Sequence, residues 1–123
     1  MNLPFEIGKF TLLRLISEQR SLVFLAKQKD LDRSVVLKIP RGGMLLSKAS
    51  RQKFREEYSL AAKLQSPSIV PVLEVGQIQG IPYYTMPYVD GHNLADYLEK
   101  VKPGFEERLQ LFCRICKVVS ILH

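Results

Sequence analysis

Two cysteines have the most recognisable spacing for chemistry in this sequence. Cys113 and Cys116 form a C-x-x-C pattern, which occurs in metal sites and in redox sites. A structural zinc ion needs four ligands, but there is no second cysteine pair, and the two histidines, His92 and His123, are isolated. The stretch around the cysteines is apolar, and a thiol in such a stretch behaves as a small hydrophobic side chain. We therefore predict that both cysteines pack in a helix core and bind no metal.

A lysine and a glutamate are the second candidates, because each is charged within a partly apolar stretch. Lys38 ends the run Val-Val-Leu-Lys at 35–38, and Glu57 lies in the run Phe-Arg-Glu-Glu-Tyr at 54–58. Taken alone, each is typical of a solvated strand or helix, because charged side chains are mostly exposed. Their interpretation depends on the elements that position them.

The composition is that of a single globular domain. The chain has 123 residues, of which 46% are hydrophobic and 24% are charged. No apolar run approaches the roughly 18 residues of a membrane span, and the first residues lack the basic and apolar regions of a secretory signal. We therefore expect a cytoplasmic protein with no membrane contact within this segment.

The net charge of +6 raises the possibility of an acidic partner such as nucleic acid. The basic residues are scattered, however, and a mild concentration of them at 41–55 is followed directly by Glu56 and Glu57. No aromatic residues alternate with these charges, as a single-strand binder would require. A solvated helix face is the simpler interpretation, and we expect no nucleic acid partner.

The apolar periodicity predicts an α+β fold in which three strands and a helix precede two strands and two more helices. Ser66 should end the first helix, because a residue before proline resists helical geometry. Asn93 can cap the second helix. The predicted strands are 10–16, 22–26, 34–39, 69–75 and 81–86, and the predicted helices are 47–64, 94–100 and 105–123.

The last predicted helix, residues 105–123, carries large apolar side chains almost all around its circumference. A helix of this kind is normally buried on every side. At about 2 kcal/mol for each large apolar side chain left exposed, several of them would outweigh the net stability of a small domain. We therefore expect further chain, or a partner, to cover residues 105–123.

Five short motifs resemble, in type and order, the amino-terminal portion of the protein kinase family, in its bacterial-type serine/threonine form. The run at 35–38 resembles the family's V-A-I-K. Glu57 occupies the position at which the helix of the family's small lobe has a glutamate. The other three matches are Ser-Pro-Ser-Ile-Val at 66–70, Tyr-Thr-Met-Pro-Tyr-Val-Asp-Gly at 84–91 and Asn-Leu-Ala-Asp-Tyr-Leu at 93–98. The resemblance implies an extension at 1–9, a small lobe of five antiparallel strands and one helix at 10–86, a hinge at 87–92 and the start of a large lobe at 93–123.

The resemblance also implies a set of ATP-binding residues. Lys38 would bind the α- and β-phosphates, and Glu57 would pair with Lys38 to fix its position. At the hinge, the carbonyl of Pro87 and the N–H of Val89 would bind adenine. The apolar roof over adenine would be formed by Ile16, Val23 and Val36. Ser17 would begin the phosphate-binding loop, and Met86 would be the gatekeeper. A full-length kinase of this family would also use magnesium and act on a protein hydroxyl.

The sequence departs from the family pattern in two places. The segment 17–21, Ser-Glu-Gln-Arg-Ser, has no glycine where the family has a glycine-rich loop, and Glu18 would repel a triphosphate. Arg20 could offset this repulsion by contacting phosphate, but an exposed loop arginine is the simpler interpretation. The His-Arg-Asp and Asp-Phe-Gly motifs are not among the 123 residues. We prefer the front part of an ATP-dependent kinase; the alternative is a degenerate pseudokinase that serves as a binding or scaffolding module.

Overall fold

Six antiparallel strands form one sheet in the first part of the computed structural model, which describes residues 2–64 and 67–122. The strands are β1 (Phe5–Ile7), β2 (Phe10–Glu18), β3 (Ser21–Gln28), β4 (Arg33–Pro40), β5 (Glu74–Ile78) and β6 (Ile81–Pro87). Their order across the sheet is β1-β2-β3-β4-β6-β5, so β4 pairs with β6 rather than with the next strand along the chain. The helix α1 (Lys48–Lys63) connects β4 to β5. This arrangement belongs to the predicted α+β class.

The core lies on one face of the sheet and follows from the two-residue repeat of its strands. In the hairpin of β3 and β4, Phe24 and Ala26 pair with Leu37 and Val35 and all four are buried. The core is completed by Phe10, Leu12 and Tyr83, with Leu3, Ile7, Leu22, Ile39 and Ile78 packed against it. The alternate residues of these strands, which include Lys38, therefore point to the opposite face.

Helix α1 forms where a helix was predicted, at 47–64. Ser47 is the N-cap, and its side chain accepts a hydrogen bond from the N–H of Ser50 at 3.2 Å. Phe54 is the buried residue of the helix, and its ring centroid lies 5.6 Å from that of Tyr84 on β6. This contact holds α1 against the sheet. Ser66, predicted to end the helix, lies outside the described residues.

Two stretches differ from the sequence prediction. Residues 5–7, placed in an extension, form a sixth strand, because Phe5 pairs with Leu12 and Ile7 with Phe10 at the sheet edge. The strand predicted at 69–75 begins only at Glu74. Pro71 lacks the N–H that a ladder hydrogen bond requires, and the N–H of Leu73 donates to the carbonyl of Thr85 just before the strand starts.

The second compact unit, Val89–His123, contains α2 (Leu94–Val101) and α3 (Phe105–Leu122). Asn93 caps α2 as predicted, because its side-chain oxygen accepts a hydrogen bond from the N–H of Asp96 at 2.8 Å. The helix ends at Lys102, which adopts left-handed geometry at φ +47°.

Helix α3 is formed as predicted, but it has little burial in this chain. Phe105 is 83% exposed and Phe112 is 62% exposed. Cys113 and Cys116 are free and exposed as well. The prediction that they pack in a core is therefore wrong for this chain, because within its described part no apolar layer covers their side of the helix.

None of the helices at 2–64 and 67–122 has the length and apolarity needed to cross a membrane.

Candidate functional site

Lys38 and Glu57 meet on the face of the sheet opposite the core. Lys38 lies near the end of β4, between Val23 on β3 and Tyr84 on β6 in the strand register. Glu57 lies one helical turn beyond the anchored Phe54 on α1. The Lys38 Nζ atom is 2.9 Å from the Glu57 Oε1 atom. The strand pairing and the Phe54 anchor together place this ammonium group beside this carboxylate.

Lys38 is the more enclosed partner, with 22% of its side chain exposed against 56% for Glu57. Its Nζ atom also lies 5.5 Å from the centre of the Tyr84 ring, within the range of a cation–π interaction. Burial alone would lower the pKa of Lys38, but its interactions with Tyr84 and Glu57 outweigh burial and raise that pKa above its ordinary value. Lys38 is therefore a fixed positive charge at neutral pH.

A cleft of about 350 Å³ opens in front of this pair. Its lining is almost entirely polar, and Val23 is its one apolar side chain. The lining residues are Ser17, Gln19, Arg20, Ser21, Val23, Lys38 and Glu57. The cleft suits an anionic group, because it is lined by two cations and by hydroxyl groups. Its single carboxylate, that of Glu57, is already paired with Lys38.

The loop between β2 and β3 covers one side of the cleft and is held by Arg41, the first residue after β4. The N–H of Arg41 donates to the carbonyl of Arg20 at 3.1 Å, and its guanidinium donates to the carbonyl of Gln19 at 3.3 Å. The same guanidinium lies 3.3 Å from the Glu18 carboxylate. The charge of Glu18 is therefore balanced within the protein.

The absence of glycine does not strain this loop. Across the described residues, the non-glycine positions with positive φ are Asp32, Gln79 and Lys102, and none of these lies at 17–21. Side chains larger than glycine are therefore compatible with the backbone of the loop.

The other residues predicted to bind ATP differ in their position in the strands and in their exposure. Val36 pairs with Met86 on the Lys38 face, and both are half-buried. Ile16 lies at an irregularity in the β2–β3 pairing and is 41% exposed. Pro87 ends β6 opposite Val35. Val89, 67% exposed, belongs to the second compact unit.

Sequence reasoning missed two residues that complete the geometry. Tyr84 lies under Lys38 only because β4 pairs with β6, a pairing between strands that are not consecutive in the chain. Arg41 had been counted only as part of a mild basic concentration. Its position directly after a predicted strand, opposite the predicted β2–β3 turn, was the signal that could have identified it as a loop contact.

Across residues 2–64 and 67–122 there is no group of three or more histidine, cysteine, aspartate or glutamate side chains that could hold a metal ion.

Comparison with known proteins gives a consistent family. Residues 11–123 match the model of the phosphotransferase enzyme family. The serine/threonine-protein kinase PknD of Chlamydia trachomatis is 33% identical over 128 residues, a match that covers 94% of this chain and 14% of PknD. The serine/threonine-protein kinase PrkC of Bacillus subtilis is 30% identical over 118 residues, covering 94% of this chain and 18% of PrkC. The chain thus spans a small part of the length of these relatives.

Solved structures support the same fold. The kinase domain of PknI from Mycobacterium tuberculosis superposes with a TM-score of 0.71 at 21% identity, over 100% of this chain and 51% of that domain. The apo form of PpkA-294 superposes with a TM-score of 0.65 at 19% identity, over 80% of this chain and 42% of that structure. The predicted fold class is confirmed.

Proposed function

Because this chain belongs to the phosphotransferase enzyme family and its curated relatives are bacterial serine/threonine kinases, we propose that it forms the ATP-binding part of a serine/threonine protein kinase. The reaction of the whole protein would be transfer of the ATP γ-phosphate to a hydroxyl group of a protein substrate. Phosphoryl transfer depends mainly on positioning and on charge stabilisation, so a fixed cation beside the phosphates is a principal contribution of this region.

The observation that carries the proposal is the 2.9 Å contact between Lys38 and Glu57 at the polar cleft. In this role Lys38 binds the α- and β-phosphates. Glu57 is a positioning residue, which holds the ammonium group toward the cleft and touches no reacting atom. The raised pKa of Lys38 supports the role, because the lysine stays protonated across the physiological range.

We assign adenine to the apolar residues and backbone groups that the family resemblance indicates. Val23 and Val36 are half-buried neighbours of Lys38 on the same sheet face, as the roof over a purine ring requires. Ile16 would extend this roof, and Met86 would be the gatekeeper. At the hinge, Pro87 keeps the carbonyl that accepts a hydrogen bond, and the N–H of Val89 donates one.

Magnesium would neutralise charge on the phosphates in the complete kinase. No described residue is assigned to the metal; Lys38 would contact the nucleotide, and Glu57 would hold Lys38 in position. We further propose that the exposed apolar side chains of α3, such as Phe112, are covered by the remainder of the large lobe or by a partner, since this chain spans about half of the matched PknI domain.

Titration of the complete protein with Mg-ATP tests the proposal. Substitution Lys38→Met removes the cation at the cleft and should weaken Mg-ATP binding at least about tenfold. Lys27→Met is the matched control, because Lys27 makes a 2.8 Å ion pair with Asp32 on the same hairpin but lines none of the described clefts. Equal affinity of wild type and Lys38→Met would overturn the assigned role of Lys38.

The same titration separates the proposal from the scaffolding alternative that the glycine-free loop suggests. A kinase requires wild-type protein to bind Mg-ATP and to transfer phosphate to a protein. If the wild type fails to bind Mg-ATP in the range of cellular ATP concentrations, the binding-module interpretation replaces the kinase.

A further inference from the structure

The glycine-free loop at 17–21 carries one cation, Arg20, and the side chain of Arg20 lines two adjoining clefts. Arg20 lines the polar cleft in front of Lys38, and it also lines a second cleft of about 330 Å³ beside the start of α1. Ser21 and Glu57 line both clefts as well, so the two spaces adjoin. Arg20 is exposed and makes no ion pair with any of the described residues.

The charges around these clefts are mostly positive. The second cleft adds Arg41 and Lys53 to the cations, and its one carboxylate is that of Glu57, which already contacts Lys38. Glu18, the one acid of the segment 17–21, lies 3.3 Å from the Arg41 guanidinium. A ligand that spans Lys38 and Arg20 would therefore meet more cations than carboxylates, and the one carboxylate that lines the two clefts, Glu57, is already paired with Lys38, which favours a polyanion.

The backbone of the loop is fixed by Arg41. The Arg41 guanidinium donates to the Gln19 carbonyl and forms its ion pair with the Glu18 carboxylate. The backbone N–H of Arg41 donates to the Arg20 carbonyl. The Cα position of Arg20 is thus tied to the end of β4, close in the chain to Lys38. An arginine on a fixed backbone presents a planar set of donors that suits phosphate oxygens.

We propose that Arg20 binds the polyphosphate of the nucleotide and so takes over a task that backbone N–H groups of a glycine-rich loop perform elsewhere, with Arg41 as its positioning residue. Arg41 acts in two ways, by tying the loop to β4 and by neutralising Glu18. This inference rests on the proposed function, because it names a further phosphate-binding residue of the same site.

The first experiment compares Arg20→Ala with wild type in titrations of the complete protein with Mg-ATP and with adenosine. Loss of a charge-assisted contact should weaken Mg-ATP binding about tenfold and leave adenosine binding unchanged. Arg33→Ala is the matched control, because Arg33 lies at the start of β4, donates to Gln28 and lines neither of the two clefts. Its Mg-ATP affinity should equal that of wild type.

The second experiment tests how Arg41 acts. Arg41→Ala should weaken Mg-ATP binding, since Glu18 then repels the phosphates, and the double variant Glu18→Gln/Arg41→Ala should recover part of the loss. Circular dichroism of each variant reports whether the fold is kept, and Arg20→Lys should retain part of the affinity if charge is what matters. No recovery in the double variant would overturn the role of Arg41 in neutralising Glu18.

The outcomes separate the two proposals. If wild type binds Mg-ATP and Lys38→Met weakens it while folded Arg20→Ala binds like wild type, the inference about Arg20 is overturned and the kinase proposal stands. If wild type does not bind Mg-ATP, the proposed function fails, and the assignment of Arg20 to polyphosphate fails with it. Equal losses of Mg-ATP and adenosine binding in Arg20→Ala would also overturn the inference, because a phosphate contact cannot affect adenosine.

Discussion

Two lysine–glutamate pairs in the first compact unit use the same chemistry in different surroundings. Lys9 contacts Glu74, and the same Glu74 Oε1 atom accepts a hydrogen bond from the Tyr83 hydroxyl at 2.8 Å. Lys38 contacts Glu57, and both of these residues line an open cleft. The first pair is closed by a third protein group on the core side, whereas the second leaves space in front of it.

The difference indicates what each pair is for. Tyr83 is buried in the core, and its ring meets that of Phe10 edge-on at 5.3 Å between centroids. The Lys9–Glu74 pair joins the edge strand β5 to the turn between β1 and β2. Lys38 and Glu57 join α1 to β4, and both line the open cleft, where the Lys38 ammonium group can donate to a ligand. Changes at the closed pair should therefore lower stability, and changes at the open pair should lower ligand affinity.

The largest effect on stability is expected from Gly76→Ala. A Cβ atom at Gly76 would lie 2.8 Å from the Tyr83 hydroxyl oxygen and 3.0 Å from two ring carbons, so Tyr83 would be pushed away from Glu74. Overpacking of this kind should lower the free energy of unfolding by about 1–3 kcal/mol, as measured by urea denaturation. Gly91→Ala is the control, since a Cβ there meets only Val89, at an ordinary contact distance of 3.8 Å. Equal denaturation midpoints for the two variants would contradict the tight packing at Gly76.

The next largest effect is expected from a comparison of the free energy of unfolding after substitution of Glu74 and of Glu57. Glu74→Gln should lower the free energy of unfolding by about 1–2 kcal/mol, because it removes the charge from an acceptor that serves both Lys9 and Tyr83. Glu57→Gln should change it by less than about 0.5 kcal/mol, because Glu57 is largely exposed. Thermal melts, paired with Mg-ATP titration, check both halves of the comparison. Should Glu57→Gln destabilise the fold as much as Glu74→Gln, the distinction between the pairs fails.

The smallest expected effect is a difference in pH dependence at the closed pair. Burial, followed by the hydrogen bond to Glu74, raises the pKa of Tyr83 above its ordinary value of 10.0. Above about pH 10 the unfolded chain therefore loses a proton that the folded protein keeps, and the free energy of unfolding falls as pH rises. Tyr83→Phe should show a shallower fall than wild type from about pH 9 to about pH 11 in urea denaturation. Parallel curves for the two proteins would argue against a retained Tyr83 proton.

Local patterns predicted much of this molecule, because they depend on neighbours in the chain. The strands around Ala26 and Val35, the helix around Phe54 and the cap at Asn93 all follow from short-range spacing. The family resemblance then identified Lys38 and Glu57, which the fold places 2.9 Å apart. The resemblance to bacterial serine/threonine kinases is confirmed by the family match and by the curated relatives.

What the sequence could not predict depends on pairing between distant segments. Phe5 and Ile7 form a strand only because the edge of β2 is open to them, and nothing in a three-residue run reveals this. Tyr84 and Arg41 acquire their roles from the β4–β6 register and from the position of the β2–β3 turn. The exposure of Cys113 on an apolar helix likewise depends on what packs over the helix, which its own residues do not specify.

The pairing of β4 with β6, across the intervening helix and β5, has a consequence for how the cleft assembles during folding. Contacts between segments far apart in the chain form late, because a long loop must close first. Lys38 reaches Tyr84 only after this closure. Amide hydrogen exchange in β4 and β6 should therefore slow together, and a partly folded chain that has only its first hairpin would hold Lys38 without its aromatic support.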